Sequence, residues 1–288
     1  MCVKCSNCGS EKVVKKGMTT TKNRGKQQRF LCKDCKRTFI PDMGFWKMKN
    51  KDEIVTMCVD MYISNLSSRK MRNQLLRHFG IKISHITILD WVRKYVLKVQ
   101  KFTDKMKPEL SGMIYADETD IKCQNRNDVF WCSVDWGTRF INATLYSPHT
   151  QNMKDATEFM RRIARMKKPR YIQTDALQIY PRAFNKVFYR LKNENRTEHR
   201  VVNYQKTRKH NVRIETVFSK IKDRVYDFRG FKALWSAPII MAGIIIQHNY
   251  IEKHSTTGKV PCELAGQELK LGDNRWMGLI KMASSTIN

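Results

Sequence analysis

The chain has 288 residues, with 55 Lys+Arg against 26 Asp+Glu, a formal net charge of +29 and a pI near 9.9. Its composition, 41% hydrophobic and 10% aromatic, supports a buried core and excludes wholesale disorder, while the charge excludes an ordinary neutral metabolic enzyme. The longest apolar run, Leu234 to Ile246, is broken by Ser236 and Pro238 and falls short of the ~20 residues of a spanning helix, so a transmembrane reading is excluded as well.

At the N-terminus, Met1-Cys2-Val3-Lys4-Cys5 has no basic-then-apolar leader pattern. The expected location is the cytoplasm, associated with the nucleoid, where cysteine clusters take metal rather than form disulfides. Five of the nine cysteines fall in the first 35 residues, and Cys5-Ser6-Asn7-Cys8 and Cys32-Lys33-Asp34-Cys35 are both Cys-x-x-Cys. Two thiolates on each of two tight turns make a tetrahedral sulfur cage suited to Zn2+, so Cys5, Cys8, Cys32 and Cys35 are the candidate ligands. Cys2 forms a competing Cys-x-x-Cys with Cys5, and Gly9, which can take a left-handed turn, favours Cys8. Strand-like pieces between the pairs, around a Gly- and Lys-rich turn, give a zinc ribbon over residues 1–45. Cys58, Cys123, Cys132 and Cys262 stand singly in apolar surroundings and read as core.

Residues 46–107 read as helices. Ile54, Val55, Cys58 and Met61 recur at helical spacing, Ser67 or Ser68 caps a second helix ended by Gly80, and Ser84 caps a third. In the third, Ile88, Val92, Tyr95 and Val99 form an apolar stripe while His85, Thr87, Lys94 and Lys98 point elsewhere. A short turn between two helices, the second with a basic outward face, is helix-turn-helix geometry for the DNA major groove, and His85, Thr87 and Lys94 are candidate DNA contacts. An ordinary three-helix packing unit has the same pattern.

From residue 111 the period changes. Met113 to Lys122, Val129 to Trp136 and Arg139 to Ser147 are strand-like runs joined by short turns, as in an antiparallel meander. A helix from Met153 to Met166, a strand from Arg170 to Asp175, a helix near Tyr180 to Leu191, a strand from His199 to Tyr204 and a helix from Asn211 to Tyr226 follow. That order predicts an α/β (α+β mixed-sheet) ribonuclease H-like domain over residues 108–255, with a C-terminal tail at 256–288. Asp117 lies in the first strand, Asp175 ends the fourth and Glu215 opens the long helix; Glu118, Asp120 and Asp135 rival the first, and Asp223 and Asp227 the third. Three carboxylates from separate elements can hold two Mg2+ or Mn2+ ions ~3.5–4 Å apart for phosphodiester chemistry.

Positive charge is denser in front: residues 1–110 hold 25 Lys+Arg against 9 Asp+Glu, residues 111–288 hold 30 against 17. Such an excess calls for a polyanion, and double-stranded DNA fits better than a membrane because no basic amphipathic helix with a lipid-facing stripe is evident. Lys209, Arg213 and Lys220 flank Glu215 and are candidate DNA contacts beside the metals.

The stretches Tyr115-Ala116-Asp117-Glu118-Thr119, Gln173-Thr174-Asp175-Ala176 and His210-Asn211-Val212-Arg213-Ile214-Glu215, followed by Arg224 and Phe228-Arg229-Gly230-Phe231, resemble the three acidic motifs of DDE transposases from prokaryotic insertion sequences. The 40-residue spacing from Asp175 to Glu215 is near that family's usual separation, and a zinc ribbon followed by a helix-turn-helix is common among such elements. Thr257 to Gly266, with Pro261 and Glu263, resembles the segment after the catalytic core of related integrases. Lys36 departs from the pattern, standing where glycine often follows the second knuckle. The resemblance implies a catalytic triad of Asp117, Asp175 and Glu215 and a transposase that binds its element's terminal inverted repeats, cleaves them and joins the 3′ hydroxyl to target DNA as a homodimer or larger oligomer. A non-catalytic DNA-binding regulator derived from a transposase and a simple ribonuclease H-like nuclease are the alternatives; strand joining separates the nuclease, and binding without nicking marks the regulator.

Overall fold

The computed structural model describes residues 3–21, 25–41, 43–45, 48–148, 151–189, 196–202, 212–227 and 230–285. The chain divides into two compact units, one of residues 1–62, 66–105 and 270–288, the other of residues 63–65 and 106–269. No helix among the described residues is long and apolar enough to cross a membrane.

The first unit opens with a three-stranded antiparallel sheet, β1 (Val13–Thr21), β2 (Gly25–Cys32) and β3 (Thr38–Phe39), in the order β1-β2-β3. Its strands are exposed or half-buried except at Cys32, with Phe30 and Phe39 stacked at 6.1 Å, so side-chain burial contributes little to it. Three helices follow, α1 (Asp52–Ile63), α2 (Ser68–Phe79) and α3 (His85–Thr103). Ser67 caps α2 by accepting from the Lys70 N–H, Gly80 ends it at φ 63°, and Ser84 caps α3 by accepting from the Ile86 N–H. The expected stripe of α3 is buried, but on α1 Met61 is exposed, and Val55, Cys58, Val59 and Tyr62 make the buried face. Residues 267–288, which carry no role in the sequence, include the helix Arg275–Ser285, and its apolar side packs on α3.

The second unit is built on a five-stranded sheet: β4 (Met113–Cys123), β5 (Arg126–Asp135), β6 (Ile141–Ser147), β7 (Tyr171–Thr174) and β8 (Glu198–Val201), ordered β6-β5-β4-β7-β8. The first three are antiparallel, and β7 and β8 run parallel to β4. Between the parallel strands lie α4 (Met153–Met166) and α5 (Ile179–Phe188). Ile114, Ala116, Val129, Trp131 and Ala143 from one sheet face close against Phe159, Met160, Ile163, Tyr180 and Phe184 of these helices. The next helix, α6 (Val212–Asp227), packs against β4 and β5. The helix α7 (Ser236–Ile246) runs into a π-helical turn, Gln247–Ile251, where the Asn249 side chain accepts from the Ile141 N–H and donates to the Ile141 carbonyl at 2.9 Å each. An antiparallel meander, then helices and parallel strands added at the other edge of β4, is the ribonuclease H-like topology.

Asp135 is structural. It is fully buried at the end of β5, and four donors converge on it: the Ser111 hydroxyl at 2.8 Å, the Gly112 N–H at 3.0 Å, and the Thr138 N–H and hydroxyl at 2.9 and 2.8 Å. Asp135→Ala strands all four, each buried group left unmade costing ~1–3 kcal/mol. The expected outcome is a urea midpoint lowered by the equivalent of about 3 kcal/mol or more, with an unchanged denaturant slope. Wild-type stability in that variant would return Asp135 to the list of candidate site acids.

Candidate active site

Strand register brings two of the acids together. β4 pairs with β7 in parallel with Met113 opposite Tyr171, Ile114 opposite Ile172 and Tyr115 opposite Gln173. The same offset carried two residues further sets Asp117 beside Asp175, one strand spacing away, ~4.8 Å between backbones. Asp175 stands just past the end of β7, exposed, and one of its oxygens accepts from the Leu177 N–H at 3.0 Å, which fixes the turn into α5.

Carboxylate oxygens of Asp117, Glu118 and Asp175 lie within 4.8 Å of one another. Neighbours on a strand point to opposite faces, yet both Asp117 and Glu118 reach Asp175 because it sits beyond the strand end, where no side chain separates the faces. Glu118 is held from the α5 side: the buried Tyr180 hydroxyl donates to one oxygen through a short hydrogen bond, and the Gln151 amide donates to the other at 2.7 Å. Sequence reasoning offered Glu118 only as a rival to Asp117, whereas both belong to the cluster.

Glu215, in the first turn of α6, is outside this tightest group, but its charge acts on Asp117. Burial first, then the charges of Asp175 and Glu215, push Asp117 up to about 7 against the pull of the Glu118 N–H and Lys222. Burial, with the neighbouring Asp117 and Asp175, likewise lifts Glu118 to about 7 against the Tyr180 hydrogen bond. Crowded anions that resist ionising are what a divalent cation relieves, and an all-oxygen donor set suits Mg2+ or Mn2+. Asp120 is exposed and outside the cluster. Asp223 and Asp227 are exposed and lie two and three turns along α6 from Glu215, roughly 12 and 18 Å at 1.5 Å per residue.

The cysteine pairs meet as well. The four sulfurs of Cys5, Cys8, Cys32 and Cys35 lie within 4.8 Å of one another, with Cys5 to Cys35 and Cys8 to Cys32 both at 3.6 Å. A tetrahedron with ~2.3 Å metal–sulfur bonds has edges of ~3.8 Å, so the cage is the right size for zinc. Gly9 after Cys8 and Lys36 after Cys35 are both left-handed, at φ 73° and 59°, so Lys36 fills the conformational place of the absent glycine. The Arg37 backbone hydrogen bond leads in lowering Cys35 to about 6, towards the thiolate a metal needs. Cys2 lies outside the described residues. Cys58, Cys123, Cys132 and Cys262 are buried, and burial pushes the Cys58 thiol up to about 12.

The candidate DNA contacts are dispersed. At ~100° per residue Thr87 and Lys94 share the face of α3 away from its buried stripe, whereas half-buried His85 lies beside that stripe. Lys94 is exposed, its ammonium 5.3 Å from the Tyr95 ring centre. Lys220 pairs with Glu252 at 2.7 Å. Lys209 and the Arg213 side chain lie outside the described residues.

The family model described as a DDE domain (DDE_Tnp_IS240) matches residues 112–254. A search of curated proteins gives no match. Among solved structures, the catalytic core domain of HTLV-2 integrase, in a trimeric form with magnesium, is similar at 15% identity and a TM-score of 0.37, covering 56% of this chain and 98% of that one. A chain of the simian T-cell lymphotropic virus intasome in complex with PP2A regulatory subunit B56 gamma gives 13% and 0.36, covering 67% of each chain. A pre-cleavage Mos1 transpososome gives 6% and 0.28, covering 65% of this chain and 74% of that one. Superpositions at these scores carry no weight beside the family match and the strand order. Through residues 112–254, which hold the sheet, the acidic cluster and Glu215, the chain belongs to the DDE transposases of insertion sequences.

Proposed function

We propose that the chain binds the terminal inverted repeats of its element, cleaves a DNA strand at each end and joins the freed 3′ hydroxyl to target DNA. The observation that carries this reading is the shared register of Asp117 and Asp175, with Glu215 close enough for its charge to act on Asp117. Asp117, Asp175 and Glu215 would hold divalent cations, Mg2+ or Mn2+, which when bound activate first water and then the 3′ hydroxyl and stabilise the leaving oxygen. Asp175, past the end of β7, and Glu215, in the first turn of α6, are exposed and so open to a strand laid across them, while Asp117 is half-buried. Glu118, anchored by Tyr180 and Gln151, holds the β4 backbone at Asp117 in place. In the first unit, Cys5, Cys8, Cys32 and Cys35 would hold structural zinc, and α2 and α3 would read the ends, with phosphate contacts positioning and a few base contacts specifying. Joining two ends at once calls for at least a dimer.

The test is a cleavage and joining assay with the purified full chain, Mg2+ and a duplex carrying the element's terminal repeat. The expected result is a nick at the repeat boundary and a product in which that 3′ end is joined to a second duplex. Glu215→Gln should lose both by about 10³-fold or more while end binding persists. Cutting without joining would reduce the protein to a nuclease, and tight end binding without cutting would make it a regulator.

A further inference from the structure

The second unit contains a cavity of about 470 Å3, within the range of ligand sites, that the acidic cluster does not use. Its floor includes Val134 on β5 and Val217 on α6. Asp117 pairs across the ladder with Cys132, and Val134 is two residues beyond, so Val134 and Asp117 face the same side of the sheet. One strand spacing and two residues of rise put their backbones roughly 8 Å apart.

Around the floor stand Arg139, Lys220, Lys253, His254, Ser255 and Thr256. Three are fixed cations: Lys220 pairs with Glu252 at 2.7 Å, the charge of Asp135 acts on Arg139, and Lys253 is exposed. The walls are held in place. Arg139, left-handed at φ 63°, donates to the Trp136 carbonyl through a short hydrogen bond and lies over the Trp136 ring, 5.6 Å from its centre. Residues after Lys253 are tied by the His254 N–H to the Lys259 carbonyl at 2.9 Å and by the Gly258 N–H to the His254 carbonyl at 2.8 Å. Buried His248 meets the Arg139 carbonyl at 2.8 Å through Nε2; burial drives its pKa down to about 4, so the ring is neutral and donates that proton. The Thr256 N–H meets Nδ1 of His254 at 3.3 Å, which leaves the other ring nitrogen to carry a proton. Burial, then the charges of Arg139 and Lys220, lower the His254 pKa, so these cations bear on one space. The Lys253 ammonium, two hydroxyls and the ring N–H of His254, with Arg139 and Lys220 beside them, make one concavity suited to an anion.

We propose that this pocket is a second phosphate site, which takes a backbone phosphodiester of the DNA strand within about two nucleotides of the linkage cut. It rests on the reading that the acidic cluster acts on DNA, and adds a point that fixes how the strand leaves the cluster.

The experiment measures binding of the full chain to a duplex carrying the terminal repeat, with each phosphate in turn replaced by an uncharged methylphosphonate, for wild type, Lys253→Gln and Lys253→Arg. Lys253 is exposed, so both variants are expected to keep the wild-type melting temperature. In wild type one replacement, within about two nucleotides of the cleavage position, should cost about tenfold in affinity, as for a charge-assisted hydrogen bond. In Lys253→Gln that replacement should cost little, and the slope of log affinity against log salt should fall by roughly 0.9. Lys253→Arg should behave as wild type. Equal losses in wild type and Lys253→Gln at every phosphate would overturn the pocket. The two failures are distinguishable because coupling is read from binding alone: a wild type that binds but never cuts refutes the catalytic reading, and one that cuts without coupling refutes only the pocket. A wild type that does not bind the duplex refutes both.

Discussion

Replacing Asp117 by Asn is expected to abolish metal-dependent strand cleavage, by about 10³-fold or more, and at the same time to raise the melting temperature of the metal-free protein at pH 8. The two effects have one cause. Asp117 is half-buried and its pKa stands at about 7, raised by burial and then by Asp175 and Glu215. A carboxyl whose folded pKa lies above its unfolded value of ~3.9 contributes stability that is fully present below the unfolded value and is lost as pH rises through the folded one. At pH 8 that contribution is gone and the fold carries a crowded anion. Asn keeps the oxygen that accepts from the Glu118 N–H at 2.9 Å and removes the charge. The gain should therefore be absent near pH 4, grow up to pH 7 and level off above, at ~2–4 °C per kcal/mol for a unit of this size. Mg2+ or Mn2+ should raise the wild-type melting temperature most at pH 8, and less as protons compete for the same oxygens below pH 7. In Asp117→Asn that response should largely vanish. Differential scanning calorimetry across pH, with and without the cation, measures all three. A variant less stable than wild type at pH 8 would show that Asp117 is a structural residue whose surroundings welcome its charge.

Features set by short-range chemistry were legible in the sequence. Cys-x-x-Cys spacing located all four clustered sulfurs, the amphipathic stretch from Met153 to Met166 coincides with α4, and apolar alternation located β4 and with it Asp117. Pairing across the sheet was harder to read. β5 begins at Arg126, three residues before the apolar run that marked it, because the β4–β5 hairpin turns on Gln124 and Asn125, both left-handed at φ 50° and 62°. That is the backbone of a two-residue hairpin turn without the glycine that usually announces it. Asp128, polar in sequence, is buried there, where the Tyr146 hydroxyl reaches it through a short hydrogen bond from β6. Arg139 was read as the start of a strand but takes the left-handed turn before β6. Glu118 was hidden for a different reason: strand alternation assigns it to the face away from Asp117, and only the termination of β7 at Thr174 lets one group serve both faces. The packing of Arg275–Ser285 on α3 joins residues almost two hundred positions apart, a separation at which periodicity is silent.

Removing the metal expected at the four cysteines should unfold the first sheet and leave the second unit intact. Between residues 3 and 41 only Cys5 and Cys32 are buried among the described residues, so the sheet has almost no apolar interior to replace a lost ion. What closes it is the knuckles: the Cys5 N–H bonds the Ser10 carbonyl at 2.8 Å, the Gly9 N–H the Cys5 carbonyl at 2.9 Å, and the Cys32 N–H the Arg37 carbonyl at 3.0 Å. Each knuckle brings two sulfurs to the cluster, and four thiolates within 4.8 Å of one another repel unless a cation neutralises them. Structural zinc supplies an apparent ~10–16 kcal/mol in comparable sites, more than the whole stability of a small sheet. Purified protein should therefore carry one zinc per chain by atomic absorption, and Cys35→Ser or a strong chelator should release it. Hydrogen exchange should then speed up across Val13–Thr21 and Gly25–Cys32, while protection of Met113–Cys123 and Arg126–Asp135 stays unchanged, because the second unit has its own core around Trp131 and Phe159. Undiminished protection of the first two strands in chelated protein would mean that the sulfurs cluster without holding the fold together, and that the basic hairpin is stabilised by contacts other than metal.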